Sequence, residues 1–142
     1  MRDSLHNQTY LPMIPPVVVS DNTPQVSKWL DRTDSEALTF GILTGTLADA
    51  DATFSVLVED ADAADQSDAA PVSDDLLLSQ TNGVAAKTAV AFTFANDNVA
   101  GNIGYIGYKK YVRVTVTPAG NSAGAAIAVF ADCSRNHSLP AR

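Results

Sequence analysis

Short stretches of alternating apolar and polar residues recur along this chain. The clearest lies in Gly104-Tyr-Ile-Gly-Tyr-Lys-Lys-Tyr-Val-Arg-Val-Thr-Val-Thr-Pro118. There Val112, Val114 and Val116 share one face, while Tyr111, Arg113, Thr115 and Thr117 share the other. Period two with β-branched and aromatic residues predicts a half-buried strand of an antiparallel sheet. The same pattern puts Leu38, Phe40 and Ile42 inward over 37–44, and Phe54, Val56 and Val58 inward over 53–59. Gly45–Asp51 separates these two segments and reads as a turn, so they form a hairpin or a pair that crosses between sheets. Further segments are 76–78, 89–94 with Val90, Phe92 and Phe94 inward, 102–107, and 125–131. Turn signals lie at Asn82-Gly83, Asn96–Asn98 and Pro118–Gly124. About eight strands at regular spacing predict an all-β chain, a single antiparallel β-sandwich of jelly-roll type.

The first 24 residues differ. Leu11-Pro-Met-Ile-Pro-Pro16 carries three prolines in six residues, which forbids helix and favours extension. Met13, Ile14, Val17, Val18 and Val19 are too apolar for a purely solvated tail. The segment therefore reads as an arm strapped onto a neighbouring subunit or partner, with Val17–Val19 able to add as an edge strand. Residues 25–35 form a polar link in which Trp29 and Leu30 are anchors; Trp29 belongs in the core or at a subunit contact. The expected organisation is an arm over 1–24, a sandwich over 25–134 and a tail over 135–142.

Composition supports the β reading. Lys and Glu number only four and two, whereas exposed helix faces use both freely. Net charge is −7 and uneven. Between Asp31 and Asp75 stand twelve acids and one base, Arg32. After Ala86, Lys87, Lys109, Lys110, Arg113, Arg135 and Arg142 face only Asp97 and Asp132. Such an acidic half repels nucleic acid, so no nucleic-acid partner is expected. The asymmetry either serves solubility or sets an acidic surface against a basic one in an assembly. The first residues lack the apolar core of a secretory signal, and no apolar run approaches the ~20 residues of a membrane helix. The expectation is a soluble chain from a reducing cytosol, with no membrane partner. Cys133 is the only cysteine, read as a small buried filler.

Candidate chemistry is thin. Asp60, Asp62, Asp65 and Asp68, with Asp49 and Asp51, could gather round Ca²⁺, but their spacing matches no EF-hand and a solvated loop explains them as well. His6 and His137 lie at opposite ends, and no nucleophile turn accompanies either. The glycines of Gly101–Gly107 lack the order of a phosphate loop and read as sites of bulges or close sheet approach. Tyr105, Tyr108 and Tyr111 with Lys109, Lys110 and Arg113 form a basic aromatic patch suited to a protein contact or a cross-strand ladder. No enzyme activity, cofactor or metal is expected. The candidate partner-binding residues are Met13, Ile14, Val17, Val18, Val19, Trp29, Tyr108, Lys109 and Lys110.

Four segments carry a family resemblance: Ala37–Leu47, Ala52–Asp60, Ile103–Pro118 and Ala125–Ala131. The most distinctive piece is Gly104-Tyr-Ile-Gly-Tyr-Lys-Lys-Tyr-Val-Arg113. Together they resemble small structural proteins of tailed bacteriophages, including capsid decoration or cement proteins. The resemblance implies a sandwich module on the outside of a capsid, bound to the major capsid protein and to itself as a homo-dimer or homo-trimer. The implied location is the virion surface, after assembly in the host cytoplasm. The proline-rich start and the end around His137 depart from that pattern. Alternatives in the same setting are a head–tail or tail component and a host- or carbohydrate-binding module.

Overall fold

The computed structural model describes residues 4–80 and 83–136; for 135 and 136 it describes backbone only. Among these residues the chain is all-β, with one single-turn helix at Ala86–Ala89 and three short 3-10 turns. The strands are β1 (Gln8–Val19), β2 (Gln25–Val26), β3 (Leu30–Asp31), β4 (Ser35–Leu47), β5 (Thr53–Ala61), β6 (Ala70–Pro71), β7 (Leu77–Leu78), β8 (Phe92–Thr93), β9 (Ala100–Tyr105), β10 (Tyr111–Ala119) and β11 (Ala125–Asn136). They form two antiparallel sheets, which make the expected sandwich. One runs β1-β11-β4-β9-β7, and the other runs β2-β10-β5-β6 with β3 on β10 and β8 on β5.

Alternation places the core between the sheets. Leu38, Phe40 and Ile42 of β4 and Ile127, Val129 and Ala131 of β11 face Phe54, Val56 and Val58 of β5 and Val112, Val114 and Val116 of β10. β4 and β5 cross from one sheet to the other rather than forming a hairpin, because the intervening turn carries the chain over the sandwich edge. Val114 pairs with Val58 and Val116 with Val56, so the two most regular strands lie side by side.

The N-terminal segment corrects the expected arm. β1 pairs with β11 from Gln8↔Ser134 to Val19↔Ala125. Met13, Ile14 and Val19 are buried in this chain's own core, not held for a neighbour. The prolines survive because β1 is an edge strand: a missing N–H costs nothing on the open side, and register shifts between Pro12 and Ile14 and between Ile14 and Val17 absorb the mismatch. Val17–Val19 do add to a sheet edge, that of β11 in the same molecule.

Three smaller expectations also change. Phe94 is exposed, because the chain leaves β8 into a 3-10 turn over Phe94–Asn96 capped by Thr93 and Asn96, which rotates the ring outward. Asp60 and Ala61 continue β5 and are buried, so the acidic loop begins only at Asp62. β11 runs on to Asn136, with Cys133 buried, so the sandwich does not end at residue 134. His137 and the rest of the expected tail lie outside the described residues, as does Asn82.

The glycines of 101–107 allow close approach, as expected. A methyl group at Gly104 would sit 3.2 Å from the Leu78 Cβ of β7, and one at Gly107 would overlap the Tyr105 ring.

Candidate interaction surface

The last inward position of β5 and that of β9 are each polar, and these two residues meet. Asp60 continues the face of Phe54, Val56 and Val58; Tyr105 continues that of Ile103. The Tyr105 hydroxyl donates to Asp60 Oδ2 at 2.8 Å. Lys109 Nζ lies 3.0 Å from Asp60 Oδ1. The Lys109 N–H donates to the Tyr105 hydroxyl oxygen at 3.3 Å. Asp60 thus has a partner on each carboxylate oxygen, which is the condition for keeping a charge out of water. Its hydrogen bond to Lys109 raises the ammonium above the usual lysine range.

Arg32 closes the other side. Its guanidinium lies 5.1 Å from the centre of the Tyr105 ring. Nη1 donates to the Gly107 carbonyl at 2.6 Å and to that of Lys109 at 3.3 Å, and Nη2 donates to the Glu36 carbonyl at 3.1 Å. The Ile106 N–H reaches the Leu76 carbonyl at 2.9 Å, the Lys110 carbonyl accepts from the Arg32 N–H at 3.0 Å, and the Lys110 N–H donates to Asp62 Oδ1 at 3.1 Å. Backbone anchors therefore fall on both sides of Tyr108, whose side chain is 95% exposed. A shallow depression beside it is lined by Arg32, Thr33, Glu36, Lys109 and Lys110. The result is an aromatic residue held out into solvent on a fixed loop. A phenol ring on a pre-ordered support loses little entropy on binding and presents both an apolar face and a hydroxyl.

The candidate residues fall in two places. Tyr108, Lys109 and Lys110 share this loop. Val18 is exposed on β1, while Met13, Ile14 and Val19 are buried there and Val17 is half-buried. Trp29 is half-buried on the second sheet, with the Arg113 guanidinium 4.5 Å from the centre of its ring, so it is neither a core anchor nor a free one. Tyr105 leaves the expected surface patch, because its ring is core.

Lys87, Lys109, Lys110 and Arg113 of the second half each meet an acid of the first half within the molecule. Antiparallel pairing of β10 with β5 brings Arg113 to Glu59 at 2.7 Å, and Lys110 stands 3.6 Å from Asp31. Lys87 lies 3.3 Å from Asp74. In the acidic loop, Asp68 accepts the N–H groups of Asp62 and Ala63, which hold its carboxyl below the usual range. Asp65 is lowered by the Ser67 hydroxyl and N–H. These carboxylates cap a turn, and among the described residues no three acidic, histidine or cysteine side chains converge as metal ligands would.

Arg32 and Asp60 were missed as part of this surface, and Tyr105 was expected on it as an exposed ring, not as its buried support. For Asp60 a signal existed: it stands two residues beyond Val58 on the same face. Arg32 gave none, since the loop carbonyls it holds, those of Gly107 and Lys109, are distant in sequence.

One consequence concerns alkaline pH. Burial pushes the Tyr105 hydroxyl up to about 12, and the hydrogen bond to Asp60 adds to the effect. The unfolded chain releases this proton near 10, so the contribution is complete below pH 10 and is lost as pH rises from there toward 12. Between those values, the melting temperature of the wild type should fall more steeply with pH than that of Tyr105→Phe. Parallel curves in paired thermal melts would count against the buried-phenol assignment.

No family model and no curated protein matches this sequence. Among solved structures, the chain is similar to the SPBc2 prophage-derived protein YomS, with 9% identity, 89% of this chain and 93% of that chain covered, and a TM-score of 0.49. It is also similar to the VP2 subviral particle of infectious bursal disease virus, with 9% identity, 93% of this chain and 31% of that chain covered, and a TM-score of 0.35.

Proposed function

We propose that this chain is a virion structural protein of a tailed bacteriophage, a decoration protein that binds the outer surface of the major capsid protein lattice and stiffens the head. The observation that carries the reading is the Tyr108 loop. The segment with the most distinctive resemblance, Gly104–Arg113, builds a fixed loop with one fully exposed aromatic at its tip. The Asp60–Tyr105–Lys109 network and Arg32 act on the loop's geometry and leave Tyr108 free to engage a protein partner. Around it stand long paired strands, a shared core and the Arg113–Glu59 ion pair that staples β10 to β5.

The test is co-sedimentation with undecorated phage heads. Wild-type protein should saturate the lattice at a stoichiometry comparable to the major capsid protein. Tyr108→Ala should weaken binding by about tenfold or more, as loss of an aromatic anchor does, with an unchanged melt. A stoichiometry near the dozen copies of a closed connector ring would instead point to the head–tail junction. Failure of the wild type to bind heads overturns the reading.

A further inference from the structure

The outward face of the first sheet carries almost no charge, although the chain as a whole is strongly acidic. β1, β7 and β9 contain no charged residue. Register places Tyr10, Phe130, Val18, Leu43, Ala126 and Ala128 on this face. Val18 is 67% exposed, Tyr10 55% and Leu43 44%. The Tyr10 and Phe130 rings lie 6.1 Å apart, and Phe130 covers Gly41, where a side chain would collide with it. Between Val18 and Leu43 the surface dips over Gly45, Ala126 and Ala128, so ridge and groove lie side by side. Among the described side chains of this face only Asp132 is charged, and it is half-buried and accepts from Gln8 Nε2 at 3.2 Å. The other sheet differs, with the Arg113–Glu59 pair and Trp29 on its outer side.

We infer that this face is where two copies of the chain meet, sheet against sheet, about a two-fold axis. Three observations select a second copy. First, a chain of net charge −7 repels itself least where the meeting surfaces carry little acid, and on this face the described side chains include only the half-buried Asp132. Second, a two-fold contact must be self-complementary, and the same face holds both the apolar ridges Val18 and Leu43 and the groove between them. Third, the area approaches what a dimer needs. β1, β11 and β4 have 12, 12 and 13 residues. At ~3.3 Å per residue and ~4.8 Å between strands they cover roughly 600 Å² in plan, more with side-chain relief. A standard interface takes ~800 Å² from each partner. Pairing through the open β1 edge is disfavoured, because Pro12, Pro15 and Pro16 supply no N–H.

This inference is independent of the capsid reading, and its sedimentation test needs no phage heads. The full chain at about 50 μM should sediment as a dimer. Val18→Glu and Leu43→Glu should each raise the dissociation constant about tenfold or more, shifting the protein to monomer with its cooperative melt intact, since both positions are exposed. Val26→Glu, on an exposed position of the other sheet, should leave the dimer unchanged and serves as the control. A monomeric wild type overturns the inference, as does a dimer that survives Leu43→Glu and Val18→Glu. If the wild type is monomeric and Leu43→Glu lowers head binding, the face belongs to the capsid and the inference is likewise overturned.

Discussion

Val114→Asp should leave no soluble, cooperatively melting protein. Val114 is fully buried in the centre of β10 and pairs with the equally buried Val58. No cation faces that position from the surrounding valines, so the new carboxyl must either stay charged without a partner or take up a proton. Protonating a carboxyl of ordinary pKa near 4 at pH 7 costs about 4 kcal/mol. Losing the buried valine adds ~1.5–3 kcal/mol. The total is comparable to the ~5–15 kcal/mol that holds a domain of this kind together. Thr117→Asp, one strand position off that face and half-exposed, should cost only about 1 kcal/mol. Soluble yield and circular-dichroism melts of the two variants make the comparison; a cooperative melt from Val114→Asp would contradict the buried face.

The strands that were legible in the sequence are those with one wet and one dry face. In β10, and in β4 and β5 apart from Gly41 and Leu57, a polar residue separates each core residue from the next, and this period decides the assignment without knowledge of the partner strand. Two-residue bridges such as β2, β3 and β6 carry no period, so nothing local marks them. Their positions are set by backbone bonds to a longer neighbour, as when Ser27 gives its N–H to the Val114 carbonyl and accepts the Val114 N–H on its hydroxyl.

The errors at the candidate surface have a common origin: residue type outweighed position. Asp60 was assigned to a solvated loop because it is acidic, although it holds an inward position two residues past Val58. Tyr105 was assigned to a surface patch because tyrosines and lysines surround it, although it follows Ile103 at the inward spacing. A buried acid and a buried phenol are each unfavourable alone. They become compatible with the core only when the fold brings them together, 45 residues apart in sequence, with Lys109 as the third member. That pairing is invisible to a reading of one strand at a time. Tyr108 was recognisable as a candidate from its neighbours, but its full exposure follows from the anchors on Ile106, Gly107, Lys109 and Lys110.

The N-terminal segment gives the second large effect. Deleting residues 2–19 should abolish folding of the sandwich, not merely loosen its hold on a partner. β1 contributes Met13, Ile14 and Val19 to the core. At ~1.5–3 kcal/mol for each fully buried side chain, their loss removes roughly 5–9 kcal/mol, a large part of the stability of a typical domain. The deletion also uncovers β11 from Ala125 to Ser134, a long edge open to aggregation. Asn121 loses one partner as well, since its buried Nδ2 donates to the Val19 carbonyl at 3.1 Å. A milder variant separates core from edge: Ile14→Ala should lower stability by about 2–5 kcal/mol, whereas Val18→Ala, on the outward face, should lower it by less than about 1 kcal/mol. Denaturant titration of both point variants and a melt of the truncated chain provide the measurement. A truncated protein that melts cooperatively at the wild-type temperature would return β1 to the role of a dispensable arm.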